Sequence, residues 1–192
     1  MLERWYGDKR DLVKWSVLIE TAKKYNIKNL LWVVFYRDKS PELEIVHKEV
    51  RKHFKDIHQI KQLGNNVGIK IDVFEDEKWE RKNRSAYIEM VLKRIGDAKK
   101  SKLLVFLDPD TGLGKKLEHV KKDELKKIFT KMQMRKGNCL VFYQHAQRVD
   151  KWKEKTRANF EAEIDKHWIV SNPSKDYSSI ANDVIFFIVT KR

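Results

Sequence analysis

Cysteine is nearly absent. The 192-residue chain has one, Cys139, so neither an internal disulfide nor a thiolate zinc cluster is open to it. That residue stands in the apolar run from Asn138 to Tyr143, which reads as a buried structural thiol rather than a nucleophile. Three prolines and seven glycines give little punctuation, and no linker, low-complexity tail or internal repeat divides the chain, so one domain over residues 1–192 is expected. Long hydrophobic runs are missing as well. Charges interrupt the apolar residues throughout, and nothing approaches the ~20 residues of a membrane helix. The opening MLERWYGDKRDL has no apolar stretch behind its charges, so no secretory signal is read there; a soluble, cytoplasmic protein with no membrane partner is expected.

Acidic side chains are outnumbered, 28 against 42 Lys and Arg, which leaves a net charge of +14. The excess is uneven: residues 115–136 carry nine basic and three acidic groups, whereas residues 75–84 carry four of each. A basic stripe of the first kind attracts phosphates, so DNA or RNA is the expected partner. The side chains expected to meet it are Lys14, Lys115, Lys116, Lys121, Lys122, Arg148, Lys151 and Lys153, with Trp152 between two lysines placed to stack on a base. The plainer alternative is a lysine-rich surface that serves solubility, since charged residues of both signs make up 36% of the chain.

Apolar periodicity predicts the order of elements. Leu12, Trp15, Leu18, Ile19 and Ala22 form a helical stripe over residues 11–25, with Asp8 or Asp11 as cap. Residues 29–36, 67–74, 101–107 and 139–143 read as strands, and 79–95, 121–134 and 150–164 as helices. A short strand at 43–46 and a basic helix at 50–63 are expected between the first two strands. The last strands, 167–170 and 182–190, are joined by too few residues for a crossover helix and should pair antiparallel. The fold class that follows is α/β: an open, mostly parallel, Rossmann-like sheet with helices on both faces and an antiparallel C-terminal strand.

Two segments resemble a known family. Gly7 to Leu18, with its glycine, aspartates and Lys14, is similar to the first helix of the bacterial large-subunit ribosomal RNA adenine-N6 methyltransferases. Leu103 to Asp110 resembles the strand and Asp-Pro-Pro-Tyr motif of that family, and Cys139 to Tyr143 its following strand. The resemblance implies a class I methyltransferase-like fold and S-adenosylmethionine as cofactor, with Gly7, Asp8 and Asp11 as the candidate cofactor-binding group. Two departures weigh against it. The first strand runs into Arg37 to Ser40 without the glycine that lets backbone approach the cofactor, and Asp110 and Thr111 replace the second proline and the aromatic. The chain is also similar to uncharacterised bacterial proteins with LDPDxGL and YQH segments, a likeness that implies no activity.

The chemistry-bearing candidates lie where strands end. Asp108 and Asp110 flank Pro109 on a stiff turn, and two such carboxylates suit Mg²⁺ or Mn²⁺ beside a phosphate, or else an Asx-type turn. His145, after the neighbouring strand, is the candidate proton carrier, and Gln144 an amide suited to a base edge. His47, His53 and His58 have no zinc spacing. Three readings follow: a divalent-metal-dependent nuclease or phosphodiesterase with Asp108, Asp110 and His145 as catalytic groups; an S-adenosylmethionine-dependent nucleic-acid methyltransferase with altered motifs; and a non-catalytic nucleic-acid-binding domain on a Rossmann-like scaffold.

Overall fold

The computed structural model describes residues 7–35, 58–74, 79–98, 101–116, 119–133, 137–146, 149–164 and 167–191. The Asp8 carboxylate accepts from the N–H groups of Arg10 and Asp11 and so opens α1 (Lys9–Lys24). Then follow β1 (Asn29–Val33), α2 (Gln59–Asn66), β2 (Lys70–Phe74), α3 (Arg84–Asp97) and β3 (Leu103–Leu107). After two short strands, β4 (Gly112–Leu113) and β5 (His119–Val120), come α4 (Lys122–Gln133), β6 (Cys139–His145), α5 (Trp152–Glu161), β7 (Trp168–Ser171) and β8 (Val184–Lys191).

Six strands form one sheet in the order β2-β1-β3-β6-β8-β7, and β4 pairs with β5 apart from it. The strands β2, β1, β3 and β6 are parallel, while β8 runs antiparallel to both neighbours, β6 and β7. The sheet is therefore α/β and mostly parallel, with its last strand reversed, as the order of apolar runs predicts. All five residues of β3 are buried, as a central strand covered on both faces requires.

Strand alternation sorts the core. Leu30, Trp32, Leu104, Phe106, Val141, Tyr143, Val184 and Phe186 face α1 and α2; Leu31, Val33, Val105, Leu107, Leu140, Phe142 and Phe187 face α3, α4 and α5. Among the described residues the first face carries two helices, α1 and α2, and the second three, and residues 172–183 join β7 to β8 without a helix.

Two expectations change. The buried stripe of α1 is Asp11, Val13, Lys14, Val17, Leu18, Thr21 and Ala22, whereas Leu12 is 67% exposed. The helix is turned relative to the apolar reading because two charged side chains, Asp11 and Lys14, point inward. The helix expected from residue 79 starts at Arg84, since Trp79 is drawn into the core against Phe35 and Tyr87, and Asn83 Oδ1 accepts from the Glu80 N–H. The strand at 43–46 and most of the helix at 50–63 fall outside the described residues; α2 covers the end of the latter.

Candidate functional site

From β1 the chain crosses to β2 on one side, and β3 lies on the other, so the sheet's order reverses between β1 and β3. At such a switch point the carboxyl ends of the strands open a crevice. Asp108 stands there. Its N–H donates to the Val33 carbonyl at 3.1 Å, one residue beyond the ladder, and alternation from Leu104 and Phe106 sends its side chain toward α1. On α1, Asp11, Lys14 and Leu18 share one face at three- and four-residue spacing, which brings Lys14 to the same point.

The result is a buried ionic cluster. Lys14 Nζ lies 3.0 Å from Asp108 Oδ1, 3.1 Å from Asp108 Oδ2 and 3.2 Å from Asp11 Oδ1, and sits over the Tyr143 ring at 4.4 Å. Trp32 Nε1 donates to Asp108 Oδ2 at 3.2 Å. The side chains of Lys14 and Asp108 are only 7% and 1% exposed. Burial alone would lower the Lys14 pKa, but the charges of Asp108 and Asp11 outweigh it and the ammonium holds its proton more firmly than an ordinary lysine. Burial lifts the Asp108 carboxyl, against the opposing pull of Lys14. Tyr143 is pushed up by the same desolvation.

Around this cluster runs a half-exposed one. Arg10 pairs with Asp8 at 2.7 Å and with Asp183, the residue before β8, and His145 Nε2 lies 3.5 Å from Asp183 Oδ2. Burial raises the Asp183 carboxyl, yet hydrogen bonds and charge from Arg10 bring it below the usual carboxylate range. Gly7 donates its N–H to Asp11 Oδ2. The three residues proposed to bind cofactor, Gly7, Asp8 and Asp11, thus form the cap and first turn of α1, each engaged within the protein.

The turn after Asp108 is held by Gln144. The Leu113 N–H donates to its Oε1 at 2.8 Å, and its Nε2 donates to the carbonyls of Thr111 and His145. An amide expected to read a base edge instead reads its own backbone. Gly112 has φ +102°, and a Cβ there would stand 2.0 Å from Gln144 Oε1. Asp110 is half-buried on this turn, and Lys115 and Lys116 beyond it are exposed.

The remaining candidates are spread along the same edge. Lys121 and Lys122 lie exposed at the start of α4, Lys122 paired with Glu163. That start is fastened to α3 by a buried pair, Arg84 with Glu124, whose guanidinium also reaches the His119 carbonyl and covers the Trp79 ring. Lys151 is exposed and Trp152 and Lys153 half-buried at the start of α5, with Lys153 Nζ 5.6 Å from the Trp152 ring centre. Arg148, His47 and His53 lie outside the described residues. Lys14, expected on phosphate, is the buried partner of Asp108. Sequence reasoning missed Trp32 as a donor to Asp108, and Arg10 and Asp183 as a pair; the available signal was a lysine and an aspartate on the inward stripe of an amphipathic helix.

The described residues do not fit S-adenosylmethionine. Both Asp108 oxygens are engaged by Lys14 and Trp32, Thr111 offers no ring, and Phe35, with φ +48° where a glycine would lie, buries its side chain against Trp79 and Tyr87. Among the described residues no group of three His, Cys, Asp or Glu side chains is arranged to hold a metal ion, and no helix is long and apolar enough to cross a membrane. In comparison with known proteins, no family model matches the chain and no curated protein is detectably similar to it.

Proposed function

We propose that the chain is a nucleic-acid-binding domain on a Rossmann-like scaffold, gripping the phosphate backbone with shallow sequence preference. The observation that carries this reading is the gathering of cations at one edge. Helices that lead away from a parallel strand begin at its carboxyl end, so Lys121, Lys122, Lys151 and Lys153 stand on the same edge as Lys115 and Lys116. With a net charge of +14, such an edge draws in a polyanion and orients it.

The ion pair behind that edge favours binding over metal-dependent cleavage. A carboxylate that would hold Mg²⁺ is here neutralised by Lys14 and further bonded by Trp32, so metal entry must first displace a buried ammonium. Binding of a labelled duplex and a labelled single strand across salt concentration tests the reading, with calorimetry against Mg²⁺ and against S-adenosylmethionine as companion arms. Salt-sensitive binding to nucleic acid without heat from either small ligand is the expected result. Strand cleavage that needs Mg²⁺, or methyl transfer, would replace it.

A further inference from the structure

The face of the sheet beyond α1 carries a cleft of about 400 Å³ between α1 and the 172–183 connection. Its size is that of a small-ligand site. The cleft exists because β7 returns to β8 without a crossover helix. Val13 of α1, Ala181, Val184 and Phe186 give it a buried apolar floor, and half-buried Tyr177 forms a wall. Val184 pairs with His145, so the cleft opens at the carboxyl edge, beside Asp183 and the proposed cation rim.

Its polar groups, Lys153, Asn172, Ser174, Lys175, Asp176 and Ser178, stand above the apolar floor, and several are engaged with one another or with α1. Lys175 is tied to Glu20 at 2.7 Å, and the Asp176 carboxylate accepts from the N–H and Oγ of Ser178. Lys153, at the lip, lies over the Trp152 ring and feels the Asp176 carboxylate without forming a direct salt bridge to it. The Asn172 side-chain oxygen accepts from Arg157 at 2.6 Å, which fixes the amide so that its N–H₂ group points away from that bond. An apolar floor, an oriented amide donor and one cation at the rim match a planar base with acceptors on its edge and a phosphate attached.

We propose that this cleft receives one nucleotide of a bound single strand, its base on the Val13–Ala181–Val184–Phe186 floor, its edge at Asn172 and its phosphate at Lys153. The inference rests on the nucleic-acid reading and adds to it a place and a strandedness. Base-on-apolar contact tolerates every base, whereas a duplex keeps its bases stacked inside.

Two measurements on the full chain test this. The first is photocrosslinking with a 4-thiouridine-substituted oligouridylate, followed by peptide mapping; crosslinks within residues 172–186 are expected. The second is the affinity of a fluorescent oligouridylate for wild type, Lys153→Gln and Asn172→Ala, both at accessible side chains. Each variant should bind the single strand at least about fivefold more weakly; Asn172→Ala, which removes no cation, should change duplex affinity by less than about twofold, whereas Lys153→Gln also weakens the duplex through the lost phosphate contact. Crosslinks that map only outside 172–186, or variants that bind the single strand as wild type does, would overturn the cleft while leaving the basic edge intact. If wild type binds neither single strand nor duplex even at low salt, the nucleic-acid reading falls and the cleft assignment with it.

Discussion

Lys14 and Asp108, 94 positions apart in the chain, meet as a buried ion pair at the point where the sheet changes direction. The pair joins the first helix to the central strand, and its members depend on each other. Lys14→Met should leave Asp108 and Asp11 buried without their cation and destabilise the fold by about 3–5 kcal/mol. Asp108→Leu should also destabilise, by leaving the ammonium with Asp11 alone and the Trp32 N–H without its acceptor. The double variant Lys14→Met with Asp108→Leu should recover part of the loss, since an apolar pair of similar volume leaves only Asp11, still bonded by the Gly7 N–H, as a buried charge. Denaturant titration of all the variants forms a double-mutant cycle; additive losses would mean that the two groups do not act as a pair.

The turn that follows is held with equal strictness. Gly112→Ala places a methyl in a left-handed backbone and against the Gln144 amide, and should cost about 1–3 kcal/mol or more. Gln144→Ala relieves the contact but removes the acceptor of the Leu113 N–H. Gly112→Ala in the Gln144→Ala background should therefore cost less than in wild type, and an equal cost in both would contradict the contact.

How far the sequence discloses this molecule depends on the kind of information involved. The strands at 103–107 and 139–143 are legible because they are buried on both faces and read as unbroken apolar runs, and the reversal of the last strand follows from the short 172–183 connection. The rotation of α1 is not legible from apolar spacing, because Leu12 looks inward until Lys14 is known to have a carboxylate waiting for it. Asp108, Asp110 and His145 are legible as strand-end residues, but Asp108 meets Lys14 of α1 and His145 meets Asp183 before β8, and no local pattern joins residues so far apart. Gln144 shows the same limit: its type suits a base edge, and only the turn beside it reveals that its hydrogen bonds are already made.

Lys151 takes a left-handed conformation, φ 51° and ψ 40°, which side-chain-bearing residues adopt at a cost of about 1–2 kcal/mol. Lys151→Gly should raise stability by up to about 1 kcal/mol while weakening nucleic-acid binding, because strain is released and a cation is lost together. Thermal melts and binding isotherms on the same preparation check both signs.

Acid should act through Asp183. A carboxyl whose folded pKa lies below its unfolded value stabilises above that unfolded value, about 3.9 for Asp, and the contribution disappears as pH falls toward the lower folded value. Asp183 is such a group because Arg10 holds it ionised. Asp183→Asn should be less stable than wild type at neutral pH, and the difference should shrink as pH drops below about 4. Denaturation midpoints across pH measure this; a gap that widens in acid would contradict the assigned pairing.

Binding of nucleic acid by the lysines of the carboxyl edge is read out by fluorescence anisotropy of a labelled single strand and duplex from about 50 to 300 mM salt, for wild type and the Lys115→Glu/Lys116→Glu variant. Wild-type affinity should fall steeply, with a log–log slope of magnitude about 3–5, and the variant should show a shallower slope and weaker binding at every salt concentration. Absence of binding at the lowest salt, or binding that ignores both salt and the two substitutions, would contradict the proposed binding.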